Sequence, residues 1–257
     1  QITSLTTAHV SALTSDQVLA LTTGQLATLK TAQVVALTTA NLAAITTAQI
    51  TAFTTAQIAA LTTAQVVALT TDQVGVLTTD QVGSLTTAQL AKMETDDIAV
   101  ISTDQIAALR TAQVSTLTTA QVVALTTEQE ATLTTAQLAA FTTAQLVTME
   151  VDDFAAITTA QITALKTAQI ASLTTAQVVA LTTAQVANLT TAQLSAFTTA
   201  QLVTMETEDI AAITTEQITS LTTAHVSALT SDQVLALTTG QLATLKDRKS
   251  TRLNSSH

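Results

Sequence analysis

The chain has no cysteine, proline, tryptophan or tyrosine, and only four glycines and four phenylalanines in 257 residues. Each gap removes a class of structure. Without cysteine there is neither a disulfide framework nor a thiolate to act as nucleophile or metal ligand. A disordered chain would be richer in charge and proline than this one, whose residues are 47% hydrophobic and 10% charged. No Asn-Gly or Gly-Gly pair marks a hairpin turn. The glycines, Gly24, Gly75, Gly83 and Gly240, stand alone and make no phosphate-binding loop. Basic side chains are scarce: 8 against 18 acidic ones leave a net charge of −10, which repels a phosphate backbone and argues against nucleic acid as a partner. No apolar run reaches the ~18 residues of a membrane-spanning helix, because Thr and Gln return every few positions, so membrane insertion is not expected.

What the chain does have is a period. A large apolar residue recurs at every eighth position from Leu5 to Leu245. Leu13, Leu21 and Leu29 follow the first, with Phe53, Met93, Ile101 and Phe141 as variants. The unit reads Leu61-Thr62-Thr63-Ala64-Gln65-Val66-Val67-Ala68, and its positions are numbered one to eight from the Leu. Self-similarity at a fixed period marks a stacked repeat architecture. No linker interrupts it, so residues 1–246 are expected to form one octapeptide-repeat array. The chain begins inside a repeat and reads as a fragment of a longer one.

Two regular alternatives fail on geometry. The strong apolar positions, such as Leu61, Val66, Leu69 and Val74, are five and three residues apart, and odd spacings send neighbours to opposite faces of a strand. One unbroken helix advances the Leu by about 80° per octad and spreads it over every face. The chain must therefore bend once per octad. Ala, Gln and Leu favour helix between bends, and Thr-x-x-Gln, as in Thr62 and Gln65 or Thr70 and Gln73, is a capping-box pattern. The second Thr is the alternative cap and the preferred one here. It is the more constant of the pair, since the first becomes Lys30, Arg110, Lys166, Glu94 or Glu150; Val151 is its exception. Burial of one Leu and one Val per octad does not offset the entropy of ordering eight residues, so coils must stack. The expected fold is all-α: a solenoid of short capped helices, one per octad, stacked into a superhelix with three or four octads per coil. The fifth position, nearly always Gln, is expected to serve corner backbone groups. Glu130, at a sixth position otherwise apolar, is expected to be a weak point or to lie near an end or groove.

Two longer periods are present. Residues 217–246 repeat residues 1–30 letter for letter. Met93, Met149 and Met205 are 56 residues apart, and each precedes an acidic group: Glu94, Asp96 and Asp97; Glu150, Asp152 and Asp153; Glu206, Glu208 and Asp209. These nine carboxylates are the candidate metal ligands, of the oxygen type calcium prefers, and their recurrence suggests alignment along one edge of the solenoid. Against that stands a solvated acidic corner that keeps the array soluble. Thr on a rigid lattice also suits ordered water, as in ice-binding proteins, although capping already accounts for it. His9 and His225 are the same position of the two identical copies and simply replace Gln. No catalytic residue is assigned, and an enzyme is not expected.

Residues 247–257, Asp247 to His257, break the period and reverse the charge. All eleven match the conceptual translation of a common sequencing-library adapter, so a non-native or disordered tail is expected; the alternative is a natural basic tail that touches nucleic acid or membrane. Without them the array carries five basic and seventeen acidic side chains.

Residues 61–69 resemble the opening of a TAL-effector repeat over one helix start. The longer period, the proline and the base-reading pair of that family are missing, and DNA binding is not implied. Over residues 1–246 the style of repeat is similar to Thr/Ala/Gln-rich tracts of very large bacterial surface or secreted proteins of the adhesin-like kind. That resemblance implies a structural spacer, outside the cell or on its surface, whose partners are its own neighbouring repeats and cell-surface molecules. The alternative is a calcium- or partner-binding repeat module.

Overall fold

A computed structural model describes residues 2–245 of the protein. The tail at 247–257 lies outside the described residues. After a single 3-10 turn at Ile2–Ser4, one short α-helix occupies each octad, from α1 (Thr7–Ser11) to α29 (Ser231–Ala236). A further helical stretch covers 239–245. No strand occurs among the described residues, and none of their helices is long and apolar enough to cross a membrane.

The octad around α8 (Thr63–Val67) shows why each helix starts and stops where it does. The N–H of Gln65 donates to Thr62 Oγ1 at 3.2 Å, and the N–H of Thr62 donates to Gln65 Oε1 at 2.9 Å. Two donors that a helix start leaves orphaned are thus satisfied reciprocally. The Val66 N–H then reaches the Thr62 carbonyl at 3.0 Å, and the Leu69 N–H closes the last turn on the Val66 carbonyl at 3.1 Å. Two consecutive residues in extended backbone make the corner, as at Leu61 (φ −53°, ψ 140°) and Thr62 (φ −70°, ψ 158°). Every φ among the described residues is negative, so the bend requires no glycine. The near-absence of glycine is a consequence of this corner.

The N-cap is therefore the first Thr of the pair, not the second. Thr63 is the first helical residue. The variability that pointed to the second Thr has a physical explanation. At Lys30, Arg110 and Lys166 the side chain accepts no capping bond, but the backbone N–H still donates to Gln33, Gln113 and Gln169 at 2.7 Å. Half of the box is supplied by the Gln to a backbone group that any residue carries, so the cap position tolerates substitution.

The chain falls into two compact units, one ending at Leu133 and the other starting at Thr134. In each, a helix packs on the helices three before and three after it. In the first unit α7 (Thr55–Ala60) lies between α4 (Thr31–Val35) and α10 (Thr79–Ser84). In the second α23 (Thr183–Asn188) lies between α20 (Thr159–Ala164) and α26 (Thr207–Ala212). A coil is thus three octads, a triangle of short helices. Leu at position one and Val, Ile or Leu at position six fill its interior. Most sixth-position side chains, including Val34, Leu42, Ile50, Val178, Val186 and Leu194, are 0% exposed. Where the seventh residue is small, neighbouring coils come close. At Gly83 in α10 a Cβ would come within 3.3 Å of the Ala108 carbonyl of the next coil.

Candidate functional site

The most regular polar feature of each unit is the row of fifth-position side chains. Gln65 Nε2 donates to the Val34 carbonyl at 3.1 Å and to the Leu37 carbonyl at 2.8 Å. The Val34 carbonyl ends a helix, where it also accepts from the Leu37 N–H at 3.1 Å, and the Leu37 carbonyl forms a corner of the preceding coil. The offsets of 31 and 28 residues recur at Gln57, Gln73, Gln81 and Gln89 in the first unit. They recur in the second at Gln177, Gln193 and Gln217. One amide therefore does two jobs. Its oxygen caps the start of its own helix, and its nitrogen caps the end of a helix one coil back. Buried amides are satisfied at both ends, and the expectation that position five serves corner groups holds.

Where position five is a residue one methylene shorter, the arrangement weakens in a defined way. Asn41 still reaches across, its Nδ2 donating to the Leu13 carbonyl at 3.1 Å, but it no longer closes the box to Thr38. It gains Ser15 Oγ as a donor at 3.3 Å, from the first turn of α2 (Ser15–Leu19). The three acidic octads go further. Asp97, Asp153 and Asp209 take position five and are buried, while Glu94, Glu150 and Glu206 take the N-cap and make no side-chain capping bond. A buried carboxylate accepts but does not donate, so it cannot serve a backbone carbonyl as an amide does.

The electrostatics follow from this placement. Burial, then the neighbouring Glu94, hold Asp97 above the usual carboxylate range. Opposing them are a backbone hydrogen bond at Glu94 and the Thr71 hydroxyl from α9 (Thr71–Gly75) of the coil below. Asp209 has no such partner. Its Oδ2 is buried without a hydrogen bond, and burial, followed by Glu206 and Glu208, pushes its pKa up to about 6. Glu208 moves the opposite way, held below its ordinary value by a backbone N–H at its own position and by the Thr207 hydroxyl.

The nine candidate carboxylates are thus split by position. The fifth-position Asp of each group is interior. Glu94, Asp96, Glu150, Asp152, Glu206 and Glu208 are on the outside. Among the described residues no three His, Asp or Glu side chains come together as a set that could hold a metal ion. Nor do the groups align on one edge within the second unit. Seven octads are two coils and one helix over. The group at Glu150 starts α19 (Val151–Ala156), which stacks with α22 (Thr175–Val179), whereas that at Glu206 starts α26, which stacks with α23. The two face different sides of the triangle, because the 56-residue superperiod is not a multiple of the 24-residue coil. Glu130, in α16 (Thr127–Thr132), is only 1% exposed, so it occupies neither a groove nor an open end. His9 and His225 use Nδ1 in place of the Gln oxygen, accepting from Thr6 N–H at 3.2 Å and Thr222 N–H at 3.3 Å. They are capping residues.

No curated protein matches the chain. The ALTTAQ repeat, a family defined by its sequence unit, matches residues 20–55, 52–87, 90–127, 146–183, 154–191, 186–223, 202–239 and 210–247. These overlapping matches cover most of the array and share its unit, Ala-Leu-Thr-Thr-Ala-Gln, in which the corner, the cap and the cross-coil amide are all present. The chain belongs to the ALTTAQ repeat family.

Proposed function

We propose that the protein is a structural spacer, a segment of a large bacterial surface or extracellular protein without catalytic activity of its own. The observation that carries this reading is the dual use of the fifth-position amide. The regularly placed polar side chains of the interior are spent on the solenoid's own backbone, one coil binding the next. Such a design extends by repetition, since every octad offers its successor the same surface, and length becomes proportional to copy number. A net charge of −10 keeps the array soluble while it grows.

Three experiments test this. Inserting one or two extra coils, copies of residues 61–84, should leave helicity per residue unchanged by circular dichroism. The maximum dimension in small-angle scattering should then rise by equal steps. Loss of helicity or an unchanged dimension removes the spacer reading. Fractionation of producing cells should recover the protein outside or on the surface; recovery in the cytosol overturns that placement. Millimolar calcium should leave the melting temperature unmoved, and a rise would instead favour an ion-binding module.

A further inference from the structure

Among the described residues of the second unit, position five of the octad that carries α26 is the one place where a buried side chain at the coil-to-coil contact is left with an unsatisfied oxygen. Asp209 is 2% exposed, and its Oδ2 has no hydrogen-bond partner. The flanking fifth positions show what that place is built for. Gln201 and Gln217 donate to carbonyls 31 and 28 residues back, at 3.1 and 2.7 Å for Gln201 and at 3.1 and 2.6 Å for Gln217. The carbonyls at the same offsets from position 209 are those of Val178 and Leu181, and an ionised Asp has no proton to donate to them.

The chain also contains the template for a short side chain that succeeds at this position. Asn41 is buried and donates to the carbonyl 28 residues back at 3.1 Å. A protonated Asp has the shape of Asn and, like it, carries a donor. We propose that Asp209 is a proton-binding site built into the coil-to-coil ladder. By taking a proton from water it becomes a donor to the Leu181 carbonyl and locks α26 onto the coil below. Releasing the proton leaves a buried anion against backbone oxygens and loosens that contact. Asp97, with Thr71 already donating to it, is a weaker version of the same device.

The charged surroundings favour the neutral form. Glu206 and Glu208 flank Asp209 on its own helix. Of the elements packed around it, α22 and α23 carry no titratable side chain, while α29 above carries Asp232. No cation faces the site from any of them. Because the folded-state pKa of about 6 lies above the ordinary 3.8, the folded chain binds a proton across that window and the unfolded chain does not. Stability therefore rises as pH falls from about 6 toward 4. The direction is opposite to that of an ion-paired carboxylate.

The test is a thermal melt of the full chain at pH 7.5 and pH 5, alongside Asp209→Asn and Asp209→Gln. Wild type should gain about 2–4 °C more than Asp209→Asn on acidification. At pH 7.5 both variants should melt above wild type, Asn as the mimic of the protonated state and Gln as the residue the other ladders use. Hydrogen exchange at residues 178–186 should slow in wild type at pH 5 and already be slow in Asp209→Asn at pH 7.5. Parallel pH profiles for wild type and Asp209→Asn, or a variant melting below wild type at pH 7.5, would overturn the proposal.

Discussion

Residues 1–30 and 217–246 are the same thirty letters, yet opposite sides of them are covered. In the first copy the sixth-position residues Val10, Val18 and Leu26 are 0% exposed, because a later coil lies on them, while Gln17 and Gln25 are exposed. In the second copy the amides are buried. Gln233 donates to the Leu202 and Met205 carbonyls, each at 2.9 Å, and Gln241 to the Ile210 carbonyl at 3.0 Å. Their sixth-position neighbours Val234 and Leu242 are 42% and 44% exposed. The local structure hardly differs. Thr14 and Thr230 cap their helices in the same box, as do the His residues at 9 and 225. An octad thus fixes its own helix, and the coils before and after it decide which side chains are interior. Each coil has a donor side, which serves the coil before, and an apolar side, which receives the coil after.

The comparison is broken most sharply by truncating the apolar side. Leu26→Ala empties a fully covered position and should cost about 2–5 kcal/mol of local stability. Leu242→Ala, the same substitution in the other copy, should cost about 1 kcal/mol, because nearly half of that side chain already meets water. Native-state hydrogen exchange over each copy reads the two values separately, which a global melt of a repeat array does not. Equal losses would mean that burial is not what distinguishes the copies.

Truncating the donor side should reverse the asymmetry. Gln233→Ala removes one box bond and leaves the Leu202 and Met205 carbonyls buried without their amide, an expected loss of about 2–3 kcal/mol. Gln17→Ala removes only its bond to the Thr14 N–H and should cost under about 1 kcal/mol. A protein in which both substitutions cost the same would have no functional ladder, whatever its crossing geometry.

Much of this was legible in the octad. The five-and-three spacing of Leu61, Val66, Leu69 and Val74 demanded a bend, and the polar constancy of position five announced a backbone partner. Three features were not legible. Coil size was hidden because every octad is equivalent. Only the packing of each helix on the third before and the third after it, as α7 lies between α4 and α10, counts three octads per turn. The cap was misplaced by one residue because substitution at Lys30, Arg110 and Lys166 looked like indifference. The Gln oxygen, reaching back to a backbone N–H, had in fact made the cap side chain partly dispensable. The acidic groups looked aligned because 56 residues is a whole number of octads. Alignment needs a whole number of coils, and the burial of Asp209 and Asp153 is set by neighbouring coils that no local pattern reveals.

The smallest contrast is expected at the caps, and it sharpens the comparison by its absence. Thr14→Ala and Thr230→Ala each remove an oxygen that accepts from the N–H three residues on, at 3.3 Å from Gln17 and at 3.2 Å from Gln233. Both hydroxyls belong to exposed residues, and neither bond depends on a neighbouring coil. Each substitution should therefore cost about 1 kcal/mol, the same in both copies. The reciprocal bonds, from Thr14 N–H to Gln17 at 2.9 Å and from Thr230 N–H to Gln233 at 3.1 Å, survive the change, as they do at Lys30. The loss should therefore not exceed that of a single cap. A difference between the copies larger than the error of the exchange measurement would show that stacking reaches into the box itself, and that an octad does not fold its helix alone.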